Sequence, residues 1–93
     1  MTTGVTTANA LNFNAVSGGT FSAGIVTIAG SGIGGLAIAG SSATFNVANL
    51  VTTNVVGTDV SLTGNTGMIA IGGTITNSGS GDAVVVSGGN ATI

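Results

Sequence analysis

The chain contains no lysine, arginine, histidine, cysteine or proline, and Asp59 and Asp82 are its only ionisable side chains. Without basic residues it has nothing that neutralises phosphates, so we predict that it does not bind nucleic acid. Without histidine and cysteine, zinc, haem and iron–sulfur sites are not expected, and we predict no cofactor and no metal. The sequence also offers no disulfide scaffold.

Charged residues make up 2% of the 93 residues, where globular domains carry about 25%. Apolar residues nevertheless account for 43% of the chain, and disordered chains combine low hydrophobicity with high charge, so we predict a folded domain. Acid–base and glycoside chemistry need titratable groups that are almost absent here. The composition therefore predicts a protein that is not an enzyme.

The uncharged stretch from residue 24 to residue 39 is the part of the sequence that could be mistaken for a membrane-spanning helix. It contains five glycines, and a membrane-spanning helix needs about 20 predominantly apolar residues. Residues inside the run also match later parts of the sequence in register, which indicates a repeat. We therefore predict no membrane insertion.

Apolar residues recur at a fixed spacing of 24 positions along the chain. The recurrence forms three rows, which are Phe21, Phe45, Ile69 and Ile93; Leu36, Val60 and Val84; and Ile38, Leu62 and Val86. A shorter row contains Ala23, Val47 and Ile71. A unit this short cannot bury its own apolar face, so successive units must stack to form a core.

Within each unit apolar and small or polar residues alternate, and a period of two indicates β-strands. The sequence therefore predicts an all-β parallel β-helix with about 24 residues per coil and nearly four coils over residues 11–93. Leu11 and Phe13 form a partial earlier copy with a slip of one residue. Each coil is expected to hold a first, a middle and a third strand. Val51 and Ile75 match at the same spacing as the rows, but the register of the middle strand stays open.

Glycine and asparagine separate the predicted strands, and both accept positive φ at low cost. Gly40, Gly64 and Gly88 recur at the spacing of the apolar rows and predict the same corner turn in each coil. Gly57 and Gly81 mark a second corner.

Residues 73–93 run GTITNSGSGDAVVVSGGNATI. This segment resembles the repeat units of secreted bacterial β-helix proteins, namely autotransporter passenger domains and two-partner-secretion adhesins. The resemblance is clearest from Phe45 to Ile93 and includes no catalytic motif. It implies a right-handed parallel β-helix, an extracellular or cell-surface location, and an adhesive or scaffolding role. It does not identify a surface glycan or any other ligand.

Three short motifs have alternative interpretations. The glycines from Gly30 to Gly35 spell G-x-G-x-x-G, but the following residues alternate like a strand, whereas a dinucleotide site needs a helix there. Asp59 and Asp82 can lie near each other on adjacent coils as a weak calcium site, or act as turn residues that accept backbone N–H bonds, which we favour. A threonine group suggests ice binding, but its array is short and broken, and outward-facing strand threonines explain it better. The group contains Thr52, Thr53, Thr74 and Thr76.

The ends of the predicted coil stack lack proline and basic residues, which usually protect exposed strand edges. Ile93 is in phase with the first apolar row, and residues 1–10 form a poor cap or a joining strand. If a second copy continued the repeat, its Val5 would coincide with Val26, and its Leu11 and Phe13 would follow as a shortened coil. We therefore expect a structural subunit that stacks head to tail on itself into an extracellular fibre. The alternative is a stalk or binding segment of a longer secreted adhesin.

Overall fold

The structure is a computed structural model that describes residues 2–3, 9–30, 33–77, 79 and 81–93. Within these ranges the chain forms nine β-strands and no helix. The strands are β1 (Thr2–Thr3), β2 (Asn9–Asn14), β3 (Thr20–Ala29), β4 (Gly34–Ala39), β5 (Thr44–Thr53), β6 (Val60–Thr63), β7 (Met68–Ile75), β8 (Val84–Ser87) and β9 (Asn90–Thr92).

Consecutive strands belong alternately to two parallel sheets. The five-stranded sheet has the order β1-β3-β5-β7-β9 and the four-stranded sheet has the order β2-β4-β6-β8. Each strand therefore pairs with the strand two places later in the chain, and every pairing is parallel. This arrangement is a β-solenoid of about three turns, which confirms the all-β, stacked-coil prediction.

The apolar rows lie in the predicted register through the central coils. Phe21 pairs with Phe45, and Phe45 pairs with Ile69. The two rows of the other sheet run from Leu36 and Ile38 to Val60 and Leu62 and on to Val84 and Val86. The slip of one residue in the earliest copy is also confirmed, because Leu11 pairs with Leu36 and Phe13 with Ile38.

The predicted first and middle strands form one continuous strand in β3, β5 and β7. In β3 the alternation of buried and exposed residues breaks at Gly24 and Ile25, which are both exposed, and resumes with Val26 and Ile28 facing inward. The prediction of two separate strands is wrong here, because the backbone keeps its ladder pairing through the change of face.

A local irregularity sets the register of the second half of these strands. Between β5 and β7 the pairing shifts after Val47, so that Leu50 pairs with Gly73 and Thr52 with Ile75. Two residues of β5 thus face one residue of β7, as in a β-bulge. The predicted match of Val51 with Ile75 is wrong by this one residue.

The hydrophobic core lies between the two sheets and is most complete in the middle coils. Its fully or nearly buried members are Val26, Ile28, Leu36, Ile38, Ala43, Phe45, Val47, Leu50, Val55, Val60, Leu62, Ile69 and Ile71. Inner-row residues of the first and last described coils, such as Phe21 and Val86, are more exposed because they are covered on one side only.

The predicted recurring corner is confirmed. Gly40, Gly64 and Gly88 have φ values of 58°, 62° and 73°. The Gly40 N–H donates a hydrogen bond to the carbonyl of Thr63, the last residue of β6, and the Gly64 N–H donates one to the carbonyl of Ser87, the last residue of β8. In the first coil the same place is taken by Ala15, which has a φ of 56° and donates to the Ala39 carbonyl in the same way. An alanine therefore adopts the left-handed conformation that glycine adopts in the later coils.

We expect the Ala15→Gly substitution to raise the free energy of unfolding by about 0.5–1 kcal/mol. The left-handed conformation costs a non-glycine residue about 1–2 kcal/mol, and the entropy that glycine adds to the unfolded chain offsets part of this gain. The shift of the urea midpoint measures the effect. Ala37→Gly in the extended strand β4 is the control, which should lower stability by about 0.5–1 kcal/mol. Equal destabilisation by both substitutions would contradict the prediction.

Candidate functional site

One end of the solenoid is formed by β8 and β9, the last strands of the two sheets. Val84 and Val86 of β8 continue the inner rows of Val60 and Leu62, yet they are 36% and 47% exposed, whereas Val60 and Leu62 are 0% and 1% exposed. No described strand lies beyond β8, so the inner face of this coil has neighbours on one side only. The result is an apolar surface built from core positions.

Ile93 does not stack on Ile69 as predicted. Ala91 pairs with Ile69 and Thr92 with Ala70, so the chain returns to this row two positions earlier than the repeat requires. The cause is the turn between β8 and β9, which consists only of Gly88 and Gly89, whereas the two preceding turns at this corner have four residues each. Ile93 follows one residue beyond the pair of Thr92 with Ala70 and is 55% exposed.

The opposite end of the solenoid is formed by β1 and β2. Leu11 and Phe13 of β2 face inward in the rows of Leu36 and Ile38, and both are half-buried. Phe21 on β3 is also half-buried. This end therefore presents larger apolar side chains than the β8–β9 end. Val5, which the repeat spacing places at the joint between copies, lies outside the described residues.

All three aromatic residues of the chain meet at the β1–β2 end. The ring centroids of Phe13 and Phe21 are 5.0 Å apart, those of Phe13 and Phe45 5.2 Å, and those of Phe21 and Phe45 6.0 Å. Tilted and edge-on pairs at this spacing stabilise a fold by about 0.5–1.5 kcal/mol each beyond their burial. The contact of Phe13 with Phe21 joins the two sheets, and the row pattern alone does not predict it.

Asp59, which the sequence predicts to be a turn residue, lies in the interior. Its side chain is fully buried, and its Oδ2 accepts a hydrogen bond of 2.9 Å from the Thr52 hydroxyl. Its Oδ1 is buried without a hydrogen-bond partner among the described residues. Burial raises the pKa of the Asp59 carboxyl above its ordinary value, and the Thr52 hydrogen bond opposes this rise only in part. The expectation that this carboxylate accepts backbone N–H bonds is therefore wrong.

Asp82 lies on the adjacent coil, as predicted, because its carbonyl accepts a 3.0 Å hydrogen bond from the Asp59 backbone N–H. Its side chain is exposed, whereas that of Asp59 faces the interior. The two carboxylates therefore have different environments. The described residues contain no group of three or more metal-ligating side chains.

We expect the unfolding free energy to fall as the pH rises from about 3 to 7. The folded-state pKa of Asp59 is raised, so its stabilising contribution is complete below the ordinary value of 3.8 and is lost as the pH passes through the folded-state value. Asp59→Asn should flatten this dependence and raise stability at pH 7 by about 1–3 kcal/mol, the usual cost of a buried unsatisfied polar group. Urea denaturation at both pH values measures it. Asp82→Asn removes the same charge from an exposed side chain and is the charge-matched control. A wild-type slope that Asp59→Asn does not alter would contradict the prediction.

A second polar feature lies at the corner that follows the four-stranded sheet. The Asn65 side chain is buried, accepts a 2.9 Å hydrogen bond from the Ser41 backbone N–H and donates one of 2.9 Å to the Ile38 carbonyl. The Ser41 hydroxyl accepts a 3.0 Å hydrogen bond from the Val16 N–H in the coil before it. These side chains satisfy backbone groups where the chain leaves the ladder, which is a structural role.

The G-x-G-x-x-G motif leads into a strand. Gly34–Ala39 is β4, so the helix that a dinucleotide site requires is not formed there, as the alternation of the sequence predicts. The threonine group is not an outward array either. Thr52 is fully buried, so the prediction that it faces outward is wrong, whereas Thr74 and Thr76 are exposed.

No family model, curated protein or solved structure matches this chain. Over the ranges that the structure describes, it contains no helix that could cross a membrane. The two apolar ends are thus the features of the described residues that point most directly to a function.

Proposed function

We propose that the chain is a structural subunit that stacks head to tail on copies of itself into an extracellular filament. One observation carries the proposal, namely that no described strand covers the core rows at either end of the solenoid. Val84 and Val86 are exposed at one end, and Leu11, Phe13 and Phe21 are half-buried at the other.

The two ends are complementary in sheet and in register. Since β2 and β8 are opposite edges of the same sheet, β2 of a second copy placed on β8 continues the ladder. In that position Leu11 and Phe13 of the second copy extend the rows that contain Val84 and Val86. Ile93, the other predicted joint residue, lies at the edge of the five-stranded sheet and is available to the same contact.

The contact favours open assembly. A joint between unlike ends that does not close on itself produces a filament. It adds about a dozen backbone hydrogen bonds, each worth ~1 kcal/mol net, and covers apolar side chains at both ends. The edges contain no proline or lysine that would oppose pairing, and the net charge of −2 gives little colloidal repulsion.

The finer features of the predicted fold belong to the same proposal. We assign the coil a right-handed sense, because parallel strand connections within a sheet are right-handed in about 98% of cases. We count nearly four coils over residues 11–93. The extracellular or cell-surface location follows the resemblance to secreted β-helix proteins. The role is non-enzymatic and needs no cofactor, nucleic acid or membrane insertion.

Electron microscopy and sedimentation velocity of the purified chain test the proposal. We expect unbranched filaments whose mass grows with protein concentration. Discrete small particles at every concentration, with no growth in sedimentation coefficient, would overturn it.

The second candidate is a stalk or binding segment of a longer secreted adhesin. The pairing of β9 with β7 favours it, because further coils would add strands to this edge of the sheet in the same way. It predicts a folded monomer or small oligomer of this chain and more repeats of similar length in the parent gene. The gene sequence next to this segment distinguishes the two candidates.

A further inference from the structure

The outer strands of the five-stranded sheet each cover only part of their neighbour. At one end β9 pairs with Met68–Ala70 of β7, and the second half of β7 carries no described strand on that side. At the other end β1 pairs with Thr27 and Ile28 of β3. The first half of β3, from Thr20 to Ala23, carries no described strand on its outer side.

The strands β1 and β9 cover opposite halves of the strands with which they pair. The strand β9 occupies the rows that belong to the first half of a long strand such as β3, β5 or β7. The strand β1 occupies the rows that belong to the second half of such a strand. We propose that copies of the chain meet in a lap joint, in which β9 of one copy and β1 of the next lie end to end as a single strand position of the sheet. This inference rests on the proposed head-to-tail function and specifies which strands form the joint.

The observed registers fix the neighbours in the lap joint. Because Ala91 lies in the row of Ile69, and this row contains Phe21 at the other end, Phe21 of the next copy lies directly beside Ala91. In the same way Thr92 lies beside Ser22 of the next copy, and Ile93 lies beside Ala23 of that copy.

The second half of the joint involves β1 of the next copy. The backbone of its Thr3 lies beside Ile75, since both residues belong to the row of Ile28 and Thr52.

The side chains in these rows are complementary in size. Small Ala91 meets the half-buried ring of Phe21, and exposed Ile93 meets small Ala23. Alternation of large and small residues across facing positions fills a core without voids or overlap. The outward-facing neighbours Thr92 and Ser22 are uncharged and exposed, so nothing in this row opposes the contact by like-charge repulsion.

Two designed cysteine pairs test the joint, since the natural chain contains no cysteine. The pair Ser22→Cys with Thr92→Cys reports the lap joint. The pair Asn14→Cys with Ser87→Cys reports stacking of β2 on β8, which any head-to-tail filament of the proposed kind requires. Within one chain the members of each pair are separated by three strand spacings, about 14 Å. A disulfide needs Cα atoms about 4.4–6.8 Å apart, so only contact between copies can close either bond.

We expect both pairs to give ladders of covalent head-to-tail multimers on non-reducing gels after mild oxidation, at least tenfold more than each single-cysteine variant. Asn46→Cys with Thr92→Cys is the matched control. Asn46 faces outward in the row of Ser22 but lies one strand further from the joint, so it should give no ladder. A ladder from Asn14 and Ser87 without one from Ser22 and Thr92 would overturn the lap joint and leave head-to-tail stacking intact. No ladder from either pair, with no filaments, would overturn both.

Discussion

Replacing Gly57 by alanine is expected to lower the stability of the folded chain strongly. A Cβ atom at Gly57 would overlap the carbonyl oxygen of Ile33 on the preceding coil and lie 2.7 Å from its carbonyl carbon. Both atoms belong to the backbone, so neither can rotate away, and the coils would have to separate at this corner. We expect the free energy of unfolding to fall by about 3 kcal/mol or more. This is a large fraction of the ~5–15 kcal/mol by which a typical domain is stable. Thermal denaturation followed by circular dichroism measures it.

Gly24→Ala is the matched control for Gly57→Ala. Gly24 lies in the middle of β3 with a φ outside the positive range, and a Cβ there meets no atom within 4 Å. Its replacement should change stability by less than about 0.5 kcal/mol. If the Gly57 and Gly24 variants unfold at the same temperature, the close contact at the Gly57 corner does not limit the stacking of coils.

The repeat period predicts the central part of this fold because identical spacing in the chain becomes identical position in the stack. Phe45 lies between Phe21 and Ile69, as the period requires, since a shift of one residue would turn every side chain of the strand to the other face. Gly40 and Gly64 are predictable for a related reason, because a corner that needs positive φ selects glycine in successive coils.

The position of Ile93 shows where periodicity stops being informative. The regular spacing places apolar Ile93 over Ile69, and a spacing shorter by two positions places apolar Ala91 there. Both keep an apolar residue in the row, so the pattern alone does not distinguish them. The two-residue turn of Gly88 and Gly89 decides the outcome, and its length is visible only when it is compared with the four-residue turns before it.

The pairing of Thr52 with Asp59 lies beyond sequence reasoning for a different reason. The two residues belong to no common row, and a threonine and an aspartate near a turn usually face solvent. The register shift between β5 and β7 does not arise from a repeat either, because a bulge breaks the period by one residue. The β9 end was predictable only in part, because the register of β9 depends on the two-residue turn of Gly88 and Gly89, which departs from the repeat.

Val86→Lys is expected to abolish filament formation while leaving the single subunit folded. Val86 occupies a core row, but it is 47% exposed in the isolated chain, so a lysine there keeps its ammonium group in water. In the stack the same position is covered by Phe13 of the next copy, and an unpaired ammonium buried there costs several kcal/mol. Because ~1.4 kcal/mol is a factor of ten in an equilibrium constant, the concentration needed for assembly should rise about a thousandfold or more.

Ser87→Lys provides the charge-matched control, because Ser87 is the next residue of β8 and its side chain is exposed on the outer face. It adds the same charge to the same strand, so a general effect of charge on solubility would act equally on both variants. Sedimentation velocity should show subunits for Val86→Lys and filaments for Ser87→Lys, with matching circular dichroism spectra. Filaments from both variants would mean that β8 is not the contact surface. Subunits from both would mean that charge at this end, rather than burial of the inner row, controls assembly.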